Sequence, residues 1–143
     1  MKKVLVLLLV VLFAAGLMLT GCSSTDASQE KVYKVGLLQL VEHPSLDYVR
    51  TGMLEAIKDN GFIDGKNIII DYQNAQNDQS TMDTIAKKFV ADNVDLIITI
   101  TTPATIVAAA NTTSIPIVFG AVTDPVAARV VESLEKPNTN VTG

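Results

Sequence analysis

From residue 32 onward, short apolar runs alternate with stretches in which apolar residues recur every three or four positions. Four runs of strand length fall at about 33–40, 67–72, 95–101 and 115–121. The second contains Ile68, Ile69 and Ile70 in succession, and the third Leu96, Ile97, Ile98 and Ile100. Unbroken apolar runs are the pattern of strands covered on both faces, where alternation would mark a half-solvated sheet. No hairpin turn joins one run to the next, so the connections are helical and the sheet is predicted to be parallel.

The intervening periodic stretches predict four helices. Leu46, Val49, Met53, Ala56 and Ile57 share one helical stripe, which Asn60-Gly61 ends with left-handed C-cap chemistry. Met82, Ile85, Ala86, Phe89 and Val90 form a second stripe, opened by Ser80-Thr81-Met82-Asp83 as a capping box. The third helix runs from Pro103 to about Asn111 and is rich in alanine. The fourth runs from Pro125 to about Leu134, with Thr102 and Asp124 as the residues that cap the last two. With right-handed crossovers this makes an α/β domain, a Rossmann-like parallel sheet with helices on both faces.

The start of the chain has a different pattern. Lys2 and Lys3 precede an apolar run from Val4 through Ala15 that continues after Gly16 to Leu19. This is the grammar of an export signal. Leu19-Thr20-Gly21-Cys22 resembles a lipobox, so cleavage after residue 21 and lipidation of Cys22 are expected. An uncleaved membrane anchor is the alternative, because a span needs only about 20 apolar residues. Cys22 is the sole cysteine of the chain. A lone thiol in an exported protein calls for a partner, here diacylglycerol, and no disulfide staples the fold. Residues 22–31 are small and polar without periodicity and read as a flexible tether, leaving 32–143 as one domain.

Charge narrows the function. Without residues 1–21 the chain keeps nine basic residues against 15 acidic ones, a net −6. Nucleic acid is excluded as a partner, since the longest basic cluster is Lys87-Lys88. A resident metal or other cofactor is not expected, because His43 is the only histidine and the acids are scattered. Ser45 near His43 lacks an elbow motif and an orienting acid, so catalysis is not expected either. Gly65-Lys66 has the wrong spacing and the wrong following residue for a P-loop and reads as a turn. Asn111-Thr112-Thr113 and Asn140-Val141-Thr142 match glycosylation acceptors, which mean little if the lipobox is read as that of a bacterial lipoprotein. Tyr48 and Phe119 are expected in the core or in a crevice wall.

In a parallel sheet the residues following each strand gather along one edge, where ligands of this architecture bind. Those positions hold Gln39 and His43, then Asn74 and Gln76, then Thr101, Thr102 and Pro103, and finally Thr123 and Asp124. All are expected to contact a ligand, though His43, Thr102 and Asp124 also suit simple capping. Helix starts at Pro103 and Pro125 would aim free N–H groups at the same edge, which favours a small anion or zwitterion.

The lipobox, Val35-Gly36-Leu37-Leu38-Gln39, Glu42-His43-Pro44-Ser45-Leu46-Asp47, Asp71-Tyr72-Gln73-Asn74-Ala75-Gln76, Thr101-Thr102-Pro103-Ala104, Val122-Thr123-Asp124-Pro125 and Asn140-Val141-Thr142-Gly143 carry a resemblance. Together they resemble the ABC transporter substrate-binding family that includes tryptophan- and tyrosine-binding lipoproteins. The resemblance implies two lobes of the type I periplasmic-binding kind closing on a ligand, with Gln39, Thr101, Thr102, Thr123 and Asp124 at the crevice. It further implies ABC permease subunits with a cytoplasmic ATPase as partners, a small-molecule solute such as an aromatic amino acid, and attachment to the membrane through the lipid anchor, on its extracytoplasmic face. Residues 32–143 correspond to the first lobe only, so ligand binding by them alone is expected to be weak or absent. A sensor lobe of a signalling system is the rival reading, disfavoured because no stretch after Leu19 is apolar enough to pass a signal across a membrane; a truncated, nonfunctional product is the other.

Overall fold

The computed structural model describes residues 31–143. The expected signal peptide, Cys22 and nearly all of the tether lie outside the described residues. Five strands and three helices alternate: β1 (Tyr33–Gln39), α1 (Pro44–Asp59), β2 (Ile68–Asn74), α2 (Gln79–Ala91), β3 (Leu96–Ile100), α3 (Thr102–Asn111), β4 (Ile117–Gly120) and β5 (Val141–Thr142). All five strands are parallel, in the order β2-β1-β3-β4-β5. The chain steps one way from β1 to β2 and the other way from β3 onward. The sheet therefore has a switch point between β1 and β3, where crossovers leave on opposite faces and a crevice opens.

Helices cover both faces, as the two-sided apolar runs require. On one face α2 and α3 pack Met82, Ile85, Ala86, Phe89, Ala104, Val107 and Ala108 against Leu38, Ile97 and Ile117, all of them buried. Gly36 lets this happen on β1, because a Cβ there would lie 2.5 Å from the Phe89 ring. On the other face α1 lies over Val35, Leu37, Ile68, Ile98 and Ile100 with Leu46, Val49, Met53, Leu54 and Ile57 only partly buried. Its C-terminus closes as expected: Gly61 has φ 88°, its N–H donates to Lys58 O, and the Phe62 N–H donates to Ile57 O.

Several sequence expectations need correction. The fourth helix does not form. Residues 125–129 make a run of turns, with the Ala128, Arg129 and Val130 amides donating to Asp124, Val126 and Pro125 carbonyls and Arg129 in the left-handed region at φ 58°. Burying Val130 and Val131 in the core and returning the chain to β5 prevails over the helical periodicity. The strand β5 itself was not anticipated, since two residues show no periodicity, and it lies within one of the sequences that read as glycosylation acceptors. The capping box is displaced: α2 starts at Gln79, and Asp78 is the cap, its carboxylate accepting from Thr81 N. The cap position of α3 is Thr101 rather than Thr102, and its side chain makes no capping hydrogen bond. Tyr48 is 79% exposed on α1 and does not belong to the core.

Candidate ligand-binding site

Register brings the strand tips together. Gln39 pairs with Asn74 on one side and with Ile100 on the other, and Ile100 pairs with Gly120. The segments that follow, beginning at Leu40, Ala75, Thr101 and Ala121, all leave the same edge of the sheet. Backbone bonds tie them further: Ala75 N donates to Gln39 O, Asn77 N to Leu40 O, and Thr101 N to Gly120 O. This edge is conformationally unusual, with positive φ at Gln76, Asn77, Thr101 and Ala121.

Each expected residue occupies this edge in its own way. Gln39 is completely buried and hydrogen-bonded within the protein: Nε2 donates to Val41 O (2.8 Å) and to Asp47 Oδ1 (2.9 Å), and Oε1 accepts from Arg50 (2.9 Å). Both of its donors are thus spent inside the lobe. His43 is exposed and is the N-cap of α1, its Nδ1 accepting from Ser45 N at 3.3 Å. Asn74 is half-buried and uses Oδ1 to accept from Gln76 N, while Gln76 is exposed. Thr102 is half-buried and Pro103 exposed at the start of α3. Thr123 and Asp124 are exposed, and Asp124 Oδ1 accepts from Ala127 N, so it caps a turn rather than a helix.

Thr101 differs from all of these. Its backbone has φ 98° and ψ 156°, a region that is essentially open to glycine alone and that costs another residue about 1–3 kcal/mol. Its hydroxyl is shielded from solvent and has no hydrogen-bond partner within the protein, the one such side-chain atom among the described residues. Two buried threonines hold it in place. Thr105 Oγ1 donates to Thr101 O at 2.9 Å and lies 2.8 Å from Thr99 Oγ1, and the Thr105 N–H also donates to Thr101 O. Strain of this kind clusters at active sites and ligand clamps, which makes Thr101 a candidate position. Thr99 and Thr105 escape sequence reading because one sits inside a strand run and the other on a helix; a hydroxyl among buried apolar neighbours is the signal that points to them.

The opposite edge of the sheet is built otherwise. There an apolar hollow of about 420 Å³ is lined by Tyr33, Val35, Ile57, Phe62, Ile68 and Leu96 and rimmed by the Lys31–Asp95 ion pair. The Asp95 carboxyl is held below its usual value, first by Lys31 and then by the Lys34 N–H. Its apolar walls offer a small zwitterion no array of donors. No helix among the described residues is long and apolar enough to cross a membrane.

A parallel sheet with a switch point, helices on both faces and polar tips gathered at the carboxyl edge is the ligand-binding lobe of the type I periplasmic-binding fold. Residues 34–143 match the model of the ABC transporter substrate binding protein family, and the chain belongs to that family, whose members are solute-binding proteins and not enzymes. The chain is 48% identical to a tyrosine-binding protein of Clostridioides difficile (strain R20291), over 99% of this chain and 44% of that one. Among solved structures it is similar to the ligand-free, open form of a substrate binding protein with adhesive properties from Clostridium difficile. That match has 56% identity and a TM-score of 0.77, over 78% of this chain and 38% of that one. An ABC domain from Streptococcus pneumonia in complex with L-Trp matches at 40% identity and TM-score 0.75, over 78% and 37% of the two chains. The chain spans less than half the length of each of these relatives.

Proposed function

We propose that this chain supplies the first ligand-binding lobe of an ABC importer's solute-binding subunit, which captures an aromatic amino acid outside the cytoplasm and passes it to permease subunits driven by a cytoplasmic ATPase. Lipidation at Cys22 would hold it at the membrane. The observation that carries the reading is Thr101, with its strained backbone and unpartnered hydroxyl at the start of α3. A helix start offers free N–H groups and a partial positive charge, which suit the carboxylate of an amino acid. The hydroxyl beside them gains the hydrogen bond it lacks when such a group arrives. Thr102, Pro103, Thr123, Asp124, Asn74, Gln76 and His43 would form the surrounding rim. Gln39 supports this rim from beneath. The preference for an aromatic side chain rests on the relatives that bind tyrosine and L-Trp.

One lobe buries one side of a ligand, so affinity is expected to be weak and the assay must register weak binding. Titration of the isotopically labelled chain with L-tyrosine, L-tryptophan and L-leucine, followed by NMR, should move the amides of Thr101, Thr102, Ala104 and Leu40–His43. The aromatic amino acids should act at lower concentration than leucine. Thr101→Val, which removes the hydroxyl and keeps the shape, should abolish the shifts. Shifts that map to the Tyr33–Phe62 edge, or no shifts with any amino acid, would overturn the proposal.

A further inference from the structure

The first turn of α1 forms part of the rim, yet this helix buries no residue completely. Apolar contact runs the length of the helix, through Leu46, Val49, Met53, Leu54 and Ile57. Near its start a polar attachment is added. Arg50 Nη1 donates to Gln39 Oε1 at the tip of β1 (2.9 Å) and to the Tyr72 hydroxyl near the end of β2 (2.6 Å). The guanidinium carbon lies 4.5 Å from the Tyr72 ring centroid, and Nη1 is 3.0 Å from Asp47 Oδ1. Asp47 in turn accepts from Gln39 Nε2, whose other bond goes to Val41 O in the loop between β1 and α1.

We infer that Arg50 is a positioning residue for the ligand-binding edge: through Gln39, Asp47 and Tyr72 it fixes the β1–α1 loop, and with it the His43 rim, relative to the tips of β1 and β2. The inference rests on the function proposed above. Its physical basis is the number of elements joined. One guanidinium connects two adjacent strands to the helix that leaves the first of them, with Nη1 facing three acceptors while the group lies over the Tyr72 ring. Gln39 is buried and fully used by these contacts, so its role is to transmit Arg50's position to the Val41 carbonyl. Asp47 and Arg50 are 35% and 23% exposed at their side chains, so the bracket lies just beneath the surface. A ligand or a second lobe that approaches the rim meets a loop set by these four side chains.

The test separates local fixing from general stability. Amide hydrogen exchange on the full chain reads the Leu46 and Asp47 N–H groups, both donors to His43 O, against the Ile97 and Ile117 N–H groups in the sheet. Arg50→Met should speed exchange at residues 40–47 by at least about tenfold and leave the sheet amides within about twofold. Arg50→Lys should recover only part of the protection, because an ammonium on a shorter stem loses the stacking on Tyr72 that orients the donor. Tyr72→Phe removes a single hydroxyl and keeps the ring, so it should give a smaller change at the same amides, and it serves if Arg50→Met does not fold. Exchange that rises in the sheet as much as in the loop would reduce Arg50 to a stability residue and overturn the inference, as would unchanged exchange at 40–47. In the NMR titration, Arg50→Met should weaken aromatic amino acid binding by about tenfold or more, equivalent to at least about 1.4 kcal/mol. Wild-type chain that takes up no amino acid while Arg50→Met still loosens the loop counts against the proposed function, and the positional role of Arg50 stands on the exchange.

Discussion

The two faces of the sheet are held by different forces. Under α2 and α3, Phe89, Met82, Ala86, Ala104 and Ala108 are almost wholly buried, and the helices lock onto β1, β3 and β4 through apolar contact. Under α1 the strand residues are buried but the helix residues only partly so, and a polar bracket joins Leu46 at the end nearest the candidate site. Apolar burial is strong and indifferent to direction, whereas hydrogen bonds are modest in net energy and specific in angle. The first face therefore holds the lobe together, and the second sets where its rim stands.

The contrast is broken most severely from the packed face. Phe89→Ala should cost about 3–5 kcal/mol, while Met53→Ala on α1, half-buried to begin with, should cost only about 1–2 kcal/mol. Chemical denaturation of both variants measures the difference, and equal losses would show that the two faces contribute alike. Two glycines sharpen the same point. Gly36→Ala drives a methyl into the Phe89 ring and should destabilise by about 1–3 kcal/mol. Gly52→Ala, in the middle of α1 with no atom within 4 Å of the added Cβ, should stabilise by about 0.5–1 kcal/mol. Thermal midpoints moving in opposite directions would bear this out.

Acid should produce the smallest effect. Burial pushes the Asp71 carboxyl up, but hydrogen bonds from Lys88 and Gln73 outweigh it and leave the group below its usual 3.8. Asp71 joins edge strand β2 to α2 through Lys88, whose own value Asp71 and then Asp92 raise above 10.5. A carboxyl lowered by folding stabilises the protein above its unfolded value, so this contribution is lost as the pH falls below about 4. For Lys88 the sign is reversed, and its contribution is lost as the pH climbs above about 10.5. The groups are partly exposed, which keeps the loss small. Asp71→Asn should flatten the fall in thermal midpoint between pH 5 and 3, which is measured by scanning calorimetry on both proteins; an unchanged slope would remove the pair from the account.

Much of this was legible in the linear chain. Consecutive isoleucines at 68–70 and the run Leu96–Ile100 declared strands covered on both sides, and the 3–4 spacing of Met82, Ile85, Ala86 and Phe89 declared the helix that covers one of them. A parallel order of strands then gathers Gln39, Asn74, Thr101 and the segment after Gly120 at one edge, whatever the packing details. Where periodicity competed with burial, as in the turns at 125–129, the local pattern misled, because Val130 and Val131 had a better place against the core than on a helix.

What each polar residue does at that edge lay beyond the order of amino acids. Gln39 reads as one more polar strand tip, and only the fold shows its amide bonded to Val41, Asp47 and Arg50, partners contributed by a loop and a helix. Thr101 resembles any threonine after a strand until its φ of 98° and its solitary hydroxyl are measured. Secondary structure follows from residue type and spacing over a few neighbours, which a sequence displays. Hydrogen-bond saturation and backbone strain depend on groups distant along the chain meeting at particular distances and angles, and only the folded structure decides those.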